Sequence, residues 1–350
     1  MAHLSFSSRP SLAIIDDYLN TSAPHFKHIP SEKLQITTFN DTLVPANDDQ
    51  AAQLVERLKP FDIISTVRER TAFPGSLLQQ LPNLRLLLAT GTQFEMFDLE
   101  AAMELGITVV AAPGLGRTDH LISNPPRPNI KKGGAHPTTQ HTWALILALA
   151  RNIAIDDAAI KSGVAERSCD GPDWPHSGYC GTGENLTQQK ADQMADEVGL
   201  TPNEGIHGDK TFRVVTKEEL FSHADVVSIH YVLSSRSRGI VGAKELGLMK
   251  RDALLVNASR GPLIDQVELI DALEHRRIRG AALDVFDIEP LPQDSSWRRD
   301  HYWGQNGRAC LLTTPHMGYV DEGLMNTWYA ETAENVERVL EGKEVLHRLV

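Results

Sequence analysis

Ala253-Leu254-Leu255-Val256-Asn257-Ala258-Ser259-Arg260-Gly261 is an apolar run with the composition of a buried strand, and it stops on a polar turn. The next 25 or so residues decide the fold. Residues 265–276 place Leu269, Ala272 and Leu273 on one helix face, with Asp265 positioned to cap the first turn, and residues 280–286 form the next apolar run. Strand, helix and strand in that order make a βαβ unit, which requires a parallel sheet covered on its faces. Apolar runs at 224–233 and 310–314 extend this series. Five more, at 11–16, 34–39, 61–67, 84–90 and 107–111, form an earlier one, and residues 49–58 pack a helix on it through Ala51, Leu54, Val55 and Leu58. The expectation is an α/β chain with two parallel-sheet domains.

Between the two series, residues 116–137 are rich in Pro, Gly and Asn and read as a loop or insertion carrying Lys131 and Lys132. Residues 138–155 then read as one long helix, apolar on most faces through Trp143, Leu145, Ile146, Leu147 and Leu149, and therefore buried. The chain closes with a helix over 323–341 that places Trp328, Thr332, Val336 and Val339 on one stripe, with Gly342 as its stop. A balance of 34 Lys+Arg against 46 Asp+Glu gives a net charge of −12 and argues against nucleic acid as a partner. The longest apolar run, 143–150, is far short of the roughly 20 residues that span a bilayer, and the N-terminus has no signal-peptide core, so a cytoplasmic protein is expected. Cys169, Cys180 and Cys310 form no CxxC spacing, and Cys169, His176 and Cys180 lack a fourth ligand, so reduced thiols and no metal are expected.

Ligands of doubly wound sheets bind outside the carboxyl ends of the strands, so chemistry is sought in the polar residues after each apolar run. The run 253–258 ends in Ser259-Arg260-Gly261, and 280–286 leads into Asp287-Ile288-Glu289-Pro290. The run 310–314 ends in Pro315-His316, and 224–233 contains His230. The rigid fork of an arginine matches a carboxylate, a histidine moves a proton near neutral pH, and a carboxylate beside an imidazole favours its protonated form. Arg260, His316 and Glu289 are thus chemically sufficient for hydride transfer between a 2-hydroxy acid and a nicotinamide. Each also has a purely structural reading: an ion pair for Arg260, an exposed loop acid for Glu289, a backbone hydrogen bond for His316. Spacing alone does not name the reaction.

Three stretches do more. Residues 254–261, Gly280-Ala281-Ala282-Leu283-Asp284-Val285-Phe286 with Glu289-Pro290, and Thr314-Pro315-His316-Met317-Gly318 resemble, in order, the signatures of the D-isomer-specific 2-hydroxyacid dehydrogenases. The stretch 220–233 resembles the strand preceding them, and Ala89-Thr90-Gly91-Thr92 with 106–109 resembles the first domain, so the likeness covers about 60 to 163 and 184 to the end. The resemblance implies two Rossmann-like or flavodoxin-like domains. Residues 1–112 with 320–350 would form the substrate domain, and an NAD(P)-binding domain, 113–319, would be inserted into it, with the substrate held in the cleft. Arg260 would bind and orient the 2-oxo acid, His316 would be the general acid/base and Glu289 its support. His230, Ala258, Ser259, Asp284 and Gly318 would lie on the nicotinamide side, and Gly91 and Thr92 would contact the substrate. Arg68 and Arg70, in the loop 65–73, are further candidate substrate contacts, against the reading of a solvated loop. A homodimer through the region of Trp143–Leu149 is implied as well.

One departure is sharp. The family's cofactor domain opens with a strand, a GxGxxG turn, a helix and a strand, about 30 residues in all. Here only the 22 residues 162–183 stand in its place, without a strand-like run, and Gly178-Tyr179-Cys180-Gly181-Thr182-Gly183 has its glycines in the wrong order. The cofactor domain is therefore expected to be truncated, to bind NAD(H) and NADP(H) poorly, and to leave strands 224–233 and 253–258 exposed or covered by a partner. The choice between NAD and NADP is unreadable. Two readings stay open: an NAD(P)-dependent reductase of a small 2-oxo acid, or a binding protein that keeps the fold without turnover.

Overall fold

The computed structural model describes residues 8–43, 47–68, 70–91, 96–119, 136–161, 214–299 and 302–350, with positions 4, 6, 45 and 94. Thr92, the pair Lys131 and Lys132, the set Cys169, His176 and Cys180, and the connector 162–183 with its expected loss of cofactor affinity lie outside the described residues. The chain forms two compact units, residues 1–129 with 321–350 and residues 130–320. Among the described residues no helix is long and apolar enough to cross a membrane, and no group of His, Cys, Asp or Glu is placed to hold a metal ion.

The first unit is built on a parallel sheet of β1 (Ser11–Ile14), β2 (Gln35–Thr38), β3 (Ile63–Thr66), β4 (Leu86–Thr90) and β5 (Thr108–Ala112), in the order β2-β1-β3-β4-β5. Strands β3, β4 and β5 are buried at every position, which is why they read as unbroken apolar runs rather than alternating ones. The helix Asp48–Leu58, capped by Asn47 on the N–H of Gln50 (3.0 Å), buries Leu54, Val55 and Leu58 as its periodicity demands. The helix Glu322–Leu340 packs on β4 and β5, and its burial extends beyond the apolar stripe to Glu331 and Glu334. These carboxylates have backbone work to do. Glu331 accepts the N–H groups of Gly114 (2.8 Å) and Gly116, Glu334 accepts the N–H (2.8 Å) and hydroxyl of Thr118, and Glu337 takes both guanidinium arms of Arg117 (2.9 and 2.6 Å). Residues 114–119, assigned by resemblance to the inserted domain, therefore pack within the first unit.

The second unit holds β6 (Val226–Ile229), β7 (Leu254–Asn257), β8 (Gly280–Leu283) and β9 (Cys310–Thr313), parallel and in the order β6-β7-β8-β9. Asp265 caps the helix Gln266–Glu274 as expected, accepting from Val267 N–H (3.0 Å) and Glu268 N–H (3.2 Å). That helix covers one face of the sheet with Leu269, Ala272 and Leu273, joined by Phe221 and Leu246. The opposite face is covered by the helix Pro137–Ala150, whose Leu145, Ile146, Leu149 and Ala150 meet Leu254, Val256, Ala258 and Ala282.

Two expectations change here. The long helix over 138–155 is two helices, Pro137–Ala150 and Ile153–Lys161, because Asn152 takes a left-handed conformation (φ 53°) between them. Nor is the first of these buried all round: Trp143 and Leu147 remain 59% and 51% exposed, since a helix lying on a sheet has only one face to give it. Strand β7 is likewise not exposed. It is flanked by β6 and β8, covered on both faces, and buried throughout, and the exposed apolar residue of this region is Val232, beyond the end of β6.

Candidate active site

Parallel strands deliver their following loops to one edge, and in the second unit those loops carry Ser259-Arg260-Gly261, Asp284 to Glu289, and Thr314 to Gly318. The first loop is shaped by Asn257, a buried residue at the end of β7. Its side-chain amide donates to the Arg260 carbonyl (2.9 Å) and its side-chain oxygen accepts from Ser259 N–H (3.0 Å), while the Ser259 hydroxyl donates to the Tyr231 carbonyl (2.9 Å). Gly261 then passes so close to the next loop that a Cβ there would lie 2.1 Å from the carbonyl carbon of Phe286. No other residue fits. The Arg260 turn is thereby held directly against the loop that carries Glu289, with one guanidinium nitrogen on the Ser259 carbonyl (2.8 Å).

Glu289 is fixed at both oxygens. One accepts Phe286 N–H (2.7 Å), and the other is hydrogen-bonded to Nδ1 of His316. That bond leaves Nε2 of His316 to exchange a proton with a ligand. His316 itself sits at φ 53°, a conformation that costs a non-glycine residue on the order of 1 kcal/mol or more. Its N–H offsets this by donating to the carbonyls of Asp284 (2.7 Å) and Thr314 (3.1 Å), and its ring meets Tyr319 edge-on at 5.6 Å.

Asp284 is wholly buried, and its carboxylate faces the turn that carries His316. One oxygen accepts the Thr314 hydroxyl (2.6 Å) and Met317 N–H (2.8 Å); the other accepts Gly318 N–H (2.8 Å). Asp284 and Gly318, which the resemblance assigns to the cofactor side, are thus structural partners of one turn. Of the remaining cofactor-side residues, His230 hydrogen-bonds Ser228 (2.8 Å) after β6 and Ala258 is buried after β7. The surrounding protein pushes the His230 imidazole below its ordinary pKa even though the residue keeps an exposed edge. Ser228, His230, Ala258 and Ser259, along the ends of β6 and β7, offer neutral groups whose hydrogen-bonding chemistry fits a nicotinamide end.

Arg68 and Gly91 belong to the first unit, at the carboxyl ends of β3 and β4. Arg68 (φ 51°) donates its N–H to the Thr90 hydroxyl (3.0 Å) and holds its guanidinium over Trp328 (5.7 Å). Gly91 (φ 86°) donates to the Ala112 carbonyl (2.8 Å), and Arg70 stacks on Tyr18 (3.9 Å). Sequence reasoning passed over Asn257 and Thr314. Both lie inside the quoted signatures, and a polar residue at the end of an apolar run was the available signal.

Comparison with known proteins agrees with this geometry. The family model described as the D-isomer specific 2-hydroxyacid dehydrogenase NAD binding domain matches residues 143–318, half of the chain. The chain is 28% identical over 315 residues to a putative 2-hydroxyacid dehydrogenase of Haemophilus influenzae, covering 87% of this chain and 92% of that protein. It is 28% identical over 309 residues to the D-3-phosphoglycerate dehydrogenase of Methanocaldococcus jannaschii, covering 83% of this chain and only 52% of that protein. A phosphoglycerate oxidoreductase structure from Vibrio cholerae superposes with a TM-score of 0.70 at 26% identity, covering 95% of this chain and 99% of the other. The chain belongs to the D-isomer-specific 2-hydroxyacid dehydrogenase family, whose cofactor is NAD or NADP.

Proposed function

We propose that the chain reduces a small 2-oxo acid, of the size of glyoxylate, hydroxypyruvate or a bulkier relative, to the D-2-hydroxy acid. The observation that carries this reading is the His316–Glu289 pair held beside the Arg260 turn. Arg260 grips the substrate carboxylate through its two-armed fork. His230, Ala258 and Ser259 would hold the nicotinamide end of NAD or NADP, which would supply the hydride. His316 donates the Nε2 proton to the C2 oxygen, so the alcohol forms without a free alkoxide. Glu289, bound at Nδ1, fixes the tautomer and orientation of the ring. The ring then regains a proton from solvent. An intact acid–base pair supports turnover rather than a binding role alone. The exposed Trp143 and Leu147 support a homodimer formed through the helix Pro137–Ala150.

The test is the rate of NADH and NADPH oxidation with glyoxylate and hydroxypyruvate. His316→Gln should lose about 10²–10⁴-fold in kcat, as removal of a general acid does. Arg260→Lys should mainly raise KM, because a point charge replaces a fork. An unchanged rate in His316→Gln, or no turnover of any 2-oxo acid by the native chain, overturns the reading.

A further inference from the structure

The Asp284 carboxylate has one more neighbour, and it comes from neither of the loops already described. His141, on the helix Pro137–Ala150, brings its Nε2 within 3.1 Å of the same Asp284 oxygen that Thr314 and Met317 use and within 3.0 Å of the Thr314 hydroxyl oxygen. The proton positions are set by the donors and acceptors present. The Thr314 hydroxyl proton lies on its 2.6 Å bond to Asp284, so the Thr314 oxygen can only accept from the ring. The Asp284 oxygen likewise stands as an acceptor, since it takes the Thr314 hydroxyl and Met317 N–H. Nε2 of His141 therefore carries a proton that is shared between the two oxygens.

We propose that His141 is a positioning residue for catalysis, a strut that holds the His316 turn in register through Asp284 and Thr314. The inference rests on the dehydrogenase reading above for what His316 does, but not for how it is held. His141 stands four residues before Leu145, hence on the same helix face, and Leu145 and Leu149 are seated on the sheet. The ring is thus carried on a covering helix anchored to β7 and β8. Its targets lie at the ends of β8 and β9, 143 and 173 residues away in sequence. The first turns of this helix close over the His316 loop: a Cβ on Gly318 would meet Asp284 Oδ2 at 2.9 Å, and His141 Cδ2 and Thr138 Cγ2 at 3.6 Å. A wholly buried carboxylate must have its charge met by donors, and His141 is the donor that ties this one to the scaffold outside its own loops. Without it, Asp284 can rotate with the turn, and His316 loses the backbone setting that aims its ring.

Two measurements on the full chain test this. Amide hydrogen exchange needs no turnover: in His141→Phe the N–H groups of Met317 and Gly318 should exchange about tenfold faster, with those of β7 and β8 unchanged. In steady-state reduction of hydroxypyruvate, the same variant should lose about 10–100-fold in kcat with KM within about twofold, since misplacing a reacting group is costly while substrate binding is untouched. His141→Gln, which keeps a donor at nearly the Nε2 position, should return within about fivefold of the native kcat. Should His141→Phe fail to fold, Thr314→Val removes the bridging hydroxyl and should give the same exchange pattern and the same split. Native exchange in His141→Phe overturns the proposal, as does an equal loss in the Phe and Gln variants. Absence of turnover in the native chain overturns the dehydrogenase reading instead, and the exchange result still decides whether His141 holds the turn.

Discussion

Asp16 in the first unit and Asp284 in the second occupy corresponding places, just beyond the carboxyl end of a parallel strand, and both are almost completely buried. Both accept threonine hydroxyls: Asp16 from Thr71 (2.8 Å) and Thr66 (3.3 Å), Asp284 from Thr314. Only Asp284 also accepts two consecutive backbone N–H groups and faces an imidazole. Around Asp16 burial wins, and its carboxyl is pushed above the ordinary value of 3.8 despite the hydroxyls and Arg70. Two buried carboxylates thus serve different ends. One that holds backbone amides shapes a turn, and here the turn carries the proton donor. One that accepts threonine hydroxyls beside an arginine fastens a strand end.

The largest effect that separates the two is the amide substitution at each site. Asp284→Asn presents a donor where Thr314, Met317 and Gly318 all need acceptors. At least one buried donor is left unmatched, at a cost of about 1–3 kcal/mol in stability. The displaced His316 turn should add a loss of about 10²-fold in kcat. Urea melts with parallel rate assays would check both, and a native-like Asp284→Asn would erase the contrast with Asp16.

A smaller effect comes from Gly318→Ala. With Asp284 Oδ2 on one side of the new methyl group and His141 and Thr138 on the other, the carboxylate must shift by a few tenths of an ångström. A stability loss of about 1–3 kcal/mol is expected. The kcat should fall roughly tenfold while the cofactor dissociation constant stays put. A matching loss of cofactor affinity would instead put Gly318 on the nicotinamide side, as the family resemblance has it.

These residues also mark how far sequence can be read. The βαβ series was legible because burial on both faces removes alternation from a strand, and the helix Gln266–Glu274 was legible because Asp265 must cap it where the apolar face begins. Arg260, Glu289 and His316 were legible as polar residues directly after such strands. His141 was not, because its helix reads as apolar and its partners are set by which helix covers which sheet. Glu331 and Glu334 look like a solvent face, and only the passage of 114–118 beneath them explains their burial. The break at Asn152 had no glycine or proline to announce it. The exposure of Trp143 and Leu147 escaped for a related reason: composition tells that a helix is apolar, not how many of its faces find a partner.

The smallest expected effect is at Asp16, and its sign is the informative part. A carboxyl held above its ordinary pKa binds its proton more tightly in the folded chain than in the unfolded one. Its contribution to stability is therefore complete below about pH 3.8 and is lost as pH rises through the folded-state value. Above that value the fold carries a buried charge it would rather not have. Asp16→Asn keeps an oxygen for the Thr71 hydroxyl and removes that charge, so the variant should match or exceed the native chain near pH 8, by about 1 kcal/mol or less. The advantage should shrink as the pH is lowered through the folded-state value, because native Asp16 then takes up its proton. Denaturant melts of both chains at pH 5 and pH 8 measure the difference directly. A variant less stable than the native chain at pH 8 but equal to it at pH 5 would mean that the Asp16 charge is used in folding as that of Asp284 is, and the distinction between the two sites would fail.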